Sequence, residues 1–210
     1  MMKQTIKQHF VAAVALLAAA VTLPGLDAAA QVSVGAGYLS GRLKESQGGI
    51  SMTTATDGIY VGFSYRVPLN VHGLSFEPGV FYGYGVGTPD LQGIGVADLN
   101  LQDLYVPFRL RIDSPISSKF DVFASAGPTL GLGLSGEIRS MGVGVNLYDS
   151  SIMEGSALKR FDVLFGAEAG FMLWNHLQFR LGFDLGLLDV EEGATKAKRS
   201  SVHVGVAYAF

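Results

Sequence analysis

Large apolar residues alternate with small or polar residues along most of the chain after residue 31. Between Ile59 and Val67, the odd-numbered residues are large and mostly apolar, whereas the even-numbered ones include Gly62, Ser64 and Arg66. Successive side chains of a β-strand point to opposite faces of the sheet, so this pattern predicts a strand with one apolar face. Similar runs predict eight strands, over residues 32–43, 59–67, 74–86, 103–112, 120–134, 161–173, 177–187 and 201–210.

The connections between the predicted strands are alternately long and short. Long connections occupy residues 44–56, 87–98, 136–160 and 188–199, and short ones occupy residues 68–73, 113–118 and 174–176. In an antiparallel meander, the long connections therefore lie at one rim and the short turns at the other. This asymmetry is typical of transmembrane β-barrels. We expect an all-β fold, an eight-stranded antiparallel up-and-down transmembrane β-barrel with its short turns in the periplasm.

The composition of the two faces separates this fold from a soluble barrel. A soluble eight-stranded barrel of the lipocalin kind points its apolar face inward and its polar face to water. Here the second face consists mainly of Gly, Ala and Ser with few charges, which is a poor surface for water. We therefore expect the large side chains outside, against lipid, and the small ones inside.

Several aromatic residues near the short-turn rim fit an interfacial girdle. Among them are Phe120, Phe171, Trp174, Tyr208 and Phe210.

The first thirty residues have the composition of a secretory signal peptide. Lys3 and Lys7 precede an apolar stretch, and a run of small residues ends at Ala30. This arrangement predicts cleavage between Ala30 and Gln31, with residues 1–30 as signal peptide and 31–210 as one barrel domain. The alternative is an uncleaved membrane anchor, which the short apolar core disfavours.

Four short runs resemble the PorT-like outer-membrane β-barrel domain family. They are Leu104–Leu110, Ala126–Gly131, Phe161–Ala167 and the terminal Gly205–Phe210. The resemblance extends over nearly the whole chain after residue 30. It implies an eight-stranded barrel in the outer membrane of a Gram-negative cell, and it carries no shared catalytic residues.

Composition and charge exclude several classes of function. The chain has 15 basic and 18 acidic residues, so its net charge of −3 provides no basic field for nucleic acid. It contains no cysteine, which excludes disulfide scaffolds and cysteine-ligated metals.

Candidate catalytic and ligand-binding motifs are weak. The glycine spacing of 131–136 matches a dinucleotide-binding turn, but the following residues have no helical pattern. His203 with Asp184 and Ser201 contains the residue types of a nucleophile, base and orienting acid. Asp189, Glu191 and Glu192 in the last long loop offer carboxylates to a divalent ion, although a solvated acidic loop is the better explanation. We predict no catalytic residue, no cofactor and no metal.

Charged residues on the predicted inner face form the main candidate site. Four arginines and four acids would lie in one narrow lumen and neutralise each other through Arg–carboxylate pairs. Strand direction places most of them in the periplasmic half, with Glu168, Asp184 and His203 higher. The predicted network consists of Arg66, Glu77, Arg109, Arg111, Asp121, Glu168, Arg180, Asp184 and His203.

The end of the chain predicts how the barrel reaches the membrane. Tyr208 and Phe210 close an aromatic last strand, which resembles the signal read by the outer-membrane insertion machinery. The expected partners are thus outer-membrane lipid and that machinery.

The sequence favours a small non-enzymatic barrel that acts through its surface loops or as an envelope component. The alternatives are a passive channel for small solutes and, third, an envelope enzyme.

Overall fold

Eight long strands form a closed antiparallel barrel. The computed structural model describes residues 31–47, 50–87, 90–91, 95–96, 98–140, 143–148, 159–188 and 196–210. The barrel strands are β1 (Gln31–Gln47), β2 (Ile50–Pro68), β3 (Leu74–Gly87), β4 (Asp98–Ser117), β5 (Phe120–Ser140), β6 (Phe161–Leu173), β7 (Leu177–Gly186) and β8 (Lys196–Ala209). Each strand pairs with the next in chain order, and β8 pairs with β1 from Ser33↔Ala209 to Ser46↔Lys196. The predicted eight-stranded all-β fold is confirmed.

Two further short pairings lie near the long loops. Asp90–Leu91 pairs with Gly95–Val96 between β3 and β4. Val143–Asn146 folds back on the end of β5, from Glu137↔Asn146 to Ser140↔Val143. Within the described residues, no helix is long and apolar enough to cross a membrane.

The two faces of the strands differ as the alternation predicts. On the outer face, Leu110, Leu181 and Val204 are 54%, 58% and 50% exposed. On the inner face, Arg111 and Gln178 are each only 1% exposed. A surface with so much exposed apolar area is unsuited to water and suited to lipid. The polar side chains are therefore enclosed by the barrel.

The inner face is expected to consist mainly of small residues, and the large residues on it need space. Phe123, Leu164 and Met172 are buried on the inner face, together with Tyr60 and Leu99. Glycines on the same face leave room for these rings and chains. A Cβ on Gly170, for example, would lie 2.5 Å from the ring of Phe123. Large side chains next to glycines thus fill much of the lumen.

The strands are longer than the alternation predicts, so several expected loops are wrong. Residues 44–47 extend β1 and residues 50–56 begin β2, and the two strands pair as far as Gln47↔Ile50. Residues 113–117 extend β4, residues 136–140 extend β5, and residues 196–199 begin β8. Beyond the lipid, both faces meet water or loop residues, so apolar and polar positions no longer alternate. The backbone pairing continues there, but the sequence pattern does not predict it.

Positive φ angles occur in two of the three turns at the short-turn rim. His176 N donates to Leu173 O (3.0 Å), and the residues between them, Trp174 and Asn175, have φ of 52° and 63°. Two successive positive φ values define the turn that best fits the twist of a two-residue hairpin. Gly73 also has a positive φ (73°), and a Cβ there would lie 2.8 Å from the Asp113 carbonyl oxygen.

Aromatic residues mark the lipid boundaries. Near the short-turn rim, the rings of Phe171 and Phe179 stack at 4.8 Å, and those of His176 and Tyr208 stack at 5.4 Å. Near the other rim, the hydroxyls of Tyr82 and Tyr84 donate to polar neighbours, Gln102 and Asn100. Amphipathic rings of this kind are favoured at the headgroup level.

Some expected features lie outside the described residues. These are the signal peptide with its cleavage site after Ala30, and the acidic positions Asp189, Glu191 and Glu192.

Deletion of residues 208–210 should prevent the barrel from closing. The deletion removes the pairs Val34↔Tyr208 and Leu177↔Tyr208, and the bond from Phe210 N to Val32 O (2.9 Å). Backbone groups left without partners in lipid cost several kcal/mol each. We expect the shortened chain, refolded into lipid vesicles, to give no band that resists SDS until heated. The matched control replaces Tyr208 and Phe210 by Ala and keeps the backbone, so it should still fold. A normal heat-modifiable band from the deletion would contradict the closure argument.

Candidate functional site in the barrel lumen

Charged side chains reach the lumen because they occupy inward positions of their strands. In β3 and β4, Glu77 lies directly opposite Arg109, and Ser75 lies opposite Arg111. Both arginines and Glu77 are at most 8% exposed. The period of two that sends Phe108 and Leu110 to lipid thus sends the intervening arginines inward.

Glu77 connects opposite walls of the barrel. Its Oε2 accepts a hydrogen bond from Arg111 Nη1 (3.0 Å), and its Oε1 accepts one from Arg180 Nη2 (2.8 Å). Ser64 Oγ also donates to Oε1 (2.6 Å). Arg180 belongs to β7, which is four strands away from β3 in either direction around the barrel. The Glu77–Arg180 contact therefore crosses the full width of the lumen.

A second group of charges continues from Arg180 towards the long-loop rim. Arg180 Nη1 lies 3.3 Å from Glu168 Oε1, and Arg109 Nη1 lies 3.4 Å from Glu168 Oε2. Arg109 Nη2 donates to Asp184 Oδ1 (3.1 Å), which also accepts from Thr129 Oγ1 (3.0 Å). Each carboxylate in this group thus contacts a guanidinium.

His203 lies between two of these carboxylates. Its Nε2 is 3.2 Å from Glu168 Oε2, and its Nδ1 is 3.4 Å from Asp184 Oδ2. The imidazole packs edge-on against the ring of Tyr60, with centroids 5.9 Å apart. Both ring nitrogens therefore face acids.

The end of the network nearest the short-turn rim is built around Arg111. Its Nη2 donates to Asp113 Oδ1 (2.7 Å), and the same carboxylate lies 3.4 Å from Arg66 Nη1. The guanidinium of Arg111 also stacks over the ring of Phe123, 3.7 Å from its centroid. Gln178 Oε1 accepts from Arg111 and from Arg180 and joins them.

A separate pair lies higher in the lumen. Arg199 Nη1 donates to Asp103 Oδ1 (3.0 Å), and Arg199 Nη2 donates to the Tyr148 hydroxyl (3.2 Å). Gly133 makes room for Tyr148, because a Cβ there would lie 2.1 Å from the hydroxyl oxygen. The nearby Asp162 is 2% exposed, and neither of its oxygens has a hydrogen-bond partner among the described residues.

Among the described residues, two small spaces lie between these side chains. One cavity of about 70 Å³ lies among the network residues and the rings of Tyr60, Phe81 and Tyr105. A second, of about 60 Å³, lies above it and is lined by leucines together with Asp103 and Arg199. Each holds a few water molecules at most.

The structure places the predicted lumen residues as follows. Eight of the nine belong to one connected set of ion pairs, in which Arg109 and Arg180 join the two expected tiers. Asp121 is the exception, because it forms no ion pair within the described part of the chain. Sequence reasoning missed Asp113 and Arg199, which it assigned to loops. Continuing the inward alternation of Arg109 and Arg111 by one more step would have found Asp113.

The weaker candidate sites have no supporting geometry. Because both nitrogens of His203 face carboxylates, neither is left to accept a proton from Ser201. The glycines of 131–136 lie within β5 and do not precede a helix. Among the described residues, no group of three or more His, Asp or Glu side chains is arranged to hold a metal ion.

Comparison with known proteins agrees with this architecture. The sequence pattern of the outer membrane protein β-barrel domain matches residues 12–210. The chain belongs to this family. The family places the barrel in the outer membrane. No match was found among curated proteins.

Several solved barrels are similar in structure to this family member. Ail of Yersinia pestis, in complex with the heparin analogue sucrose octasulfate, is 12% identical and has a TM-score of 0.48, over 86% of this chain and 99% of that one. Neisserial surface protein A is 12% identical, with a TM-score of 0.46 over 87% and 98% of the two chains. OprG of Pseudomonas aeruginosa is 14% identical, with a TM-score of 0.45 over 87% and 96%.

Removal of Glu77 should destabilise the barrel strongly. In Glu77→Ala, Arg111 and Arg180 remain buried without their shared acid, and breaking a buried pair in this way costs about 3 kcal/mol. Equilibrium unfolding by urea in lipid vesicles measures the change. The control is Glu137→Ala, which breaks the exposed pair between Glu137 and Arg139 (2.8 Å) and should have little effect. Equal stability of Glu77→Ala and Glu137→Ala would contradict a tightly coupled network.

Proposed function

We propose that this protein is a closed, non-enzymatic outer-membrane barrel of the PorT-like kind. In this proposal ion pairs seal its lumen, and it acts through its long-loop rim or as a structural component of the envelope. The observation that carries the proposal is the contact between Glu77 of β3 and Arg180 of β7. Since these strands lie on opposite walls, the 2.8 Å contact occupies the middle of the lumen.

The charge balance of the network supports a permanent seal. Arg66, Arg109, Arg111 and Arg180 contact four carboxylates, those of Glu77, Asp113, Glu168 and Asp184. Eight strands leave an interior only wide enough for side chains, whereas porins with aqueous channels have about 16. Passage of a solute would require several of these pairs to separate together.

The long-loop rim is the part of the barrel best placed to contact other molecules. A strand needs about 9–11 residues to cross a bilayer. β4 and β5 have 20 and 21 residues, so they extend well beyond the lipid on that side.

The proposal that the protein is not an enzyme is supported by the contacts of His203. Both of its ring nitrogens face acids, which leaves Ser201 without a base.

The proposal includes the partners of biogenesis. A signal peptide over residues 1–30 would direct export, and the last strand, with Tyr208 and Phe210, would be read by the outer-membrane insertion machinery. Outer-membrane lipid then contacts the apolar outer face.

One observation favours a second candidate, a passive channel for small solutes. The two lumen cavities share Leu39, Tyr105 and Ser201 in their linings, so they are stacked along the barrel axis. Motion of Tyr105 would join them. The network below would still have to open before a solute could pass.

Planar-bilayer recordings of the purified protein distinguish the two candidates. The sealed barrel predicts no steady, porin-sized conductance, and a porin inserted under the same conditions serves as the positive control. A variant with Glu77→Ala, Arg111→Ala and Arg180→Ala removes the central charges and should conduct. The control Glu137→Ala should remain as silent as the wild type. Steady conductance of the wild-type protein would exclude the sealed barrel and favour the channel.

A further inference from the structure

We propose that a basic patch on the outer surface of β1 and β8, consisting of Arg42, Lys44 and Lys198, binds the phosphate groups of a lipid headgroup. The patch is separate from the lumen network, since it lies on the lipid-facing side of the barrel. The inference uses the outer-membrane location of the family and does not depend on whether the lumen is sealed.

The strand register brings the three cations together. Lys44 lies directly opposite Lys198, and Arg42 lies two residues before Lys44 on the same face of β1. All three side chains are exposed. Residues directly opposite in an antiparallel pair have their Cβ atoms about 5 Å apart, so like charges in these positions repel each other.

The patch carries more positive than negative charge. None of the three cations forms an ion pair within the part of the chain that the structure describes. Asp57, on an adjacent outward position of β2, accepts the hydroxyl hydrogen of Tyr38 at 2.5 Å and attracts Arg42, which leaves the charges of Lys44 and Lys198 unbalanced. By contrast, every arginine of the lumen network contacts a carboxylate. An uncompensated pair of opposed lysines is unfavourable unless an anion binds between them.

The height of the patch identifies the source of the anion. Tyr38, Ile59 and Val204 are neighbours on the outer face and are 47%, 65% and 50% exposed to lipid. Arg42 follows Tyr38 by four residues, which is about 13 Å along a strand. A lipid whose acyl chains lie against Tyr38 and Val204 would therefore place its headgroup beside Arg42 and Lys44.

Phosphate is the headgroup chemistry that fits best. Guanidinium and ammonium groups bind phosphate oxygens through charge-assisted hydrogen bonds. Three clustered cations favour a headgroup that carries more than one phosphate, and attraction of basic residues to anionic lipid increases with each one. We therefore assign the patch to a multiply phosphorylated lipid of the leaflet at the long-loop rim.

The test measures lipid binding by the folded protein in detergent micelles, by native mass spectrometry. The probes are lipid A with two phosphates, lipid A with none, and inorganic phosphate as a competitor. The triple variant Arg42→Gln, Lys44→Gln and Lys198→Gln is compared with a charge-matched control, Lys119→Gln, Arg139→Gln and Lys159→Gln. We expect the patch variant to lose at least tenfold in affinity for the phosphorylated lipid and the control to lose less than twofold.

Any one of three results would overturn the proposal: equal binding of both forms of lipid A by the wild type, an equal loss of affinity in the control and the patch variant, or full displacement of the lipid by inorganic phosphate at a matched concentration. The comparison of the two forms of lipid A uses only the wild-type protein, so it tests the proposal even if a variant folds poorly. Heat modifiability provides the folding check, and removal of the repulsion between Lys44 and Lys198 should leave the thermal stability of the lipid-free barrel unchanged or higher.

Discussion

The whole structure depends on one constraint, which is that lipid offers no hydrogen-bond partner to the backbone. The sheet must therefore close, and β8 pairs with β1 over 14 positions to do so. Closure with eight strands leaves a lumen only as wide as its side chains. Because side chains alternate between the two faces, the polar half of every strand is directed into that narrow space. The charges in the lumen must then neutralise each other, which Glu77, Arg180 and their neighbours do.

The lumen charges also specify the strand register. A slip of one residue in β4 would move Arg109 and Arg111 into lipid and Phe108 and Leu110 into the lumen. An arginine facing the middle of the bilayer costs about 2–4 kcal/mol in a barrel. Buried ion pairs alone are weak evidence for stability, since apolar groups often replace them without loss. Their contribution here is to exclude alternative registers and to connect opposite walls. The basic patch on β1 and β8 differs, because its charges are unbalanced and face outward.

The parts of the fold within the lipid were predictable from the sequence, and the parts beyond it were not. Alternation placed Glu77, Arg109, Arg180 and His203 on the inner face because lipid demands apolar neighbours on the other. Beyond the lipid this demand ends, so the pairing of residues 44–47 with 50–53 and the inward position of Arg199 leave no pattern in the sequence. The sequence also did not identify which acid each arginine contacts, because the tilt of the strands decides which residues meet across the lumen. Alternation also placed Phe123 on the inner face, but the space above Gly170 that accommodates its ring is visible only in three dimensions.

A double-mutant cycle on Glu77 and Arg180 tests the central claim most directly. Glu77→Gln, Arg180→Met and the double variant are unfolded by urea in lipid vesicles, and the three changes in the free energy of unfolding are compared with one another. If the pair connects the walls of the barrel, each single variant leaves a buried charge with one partner fewer, and the double variant is less destabilised than the sum by about 2 kcal/mol or more. Changes that add to within about 0.5 kcal/mol would show that the two residues do not interact and would contradict the account.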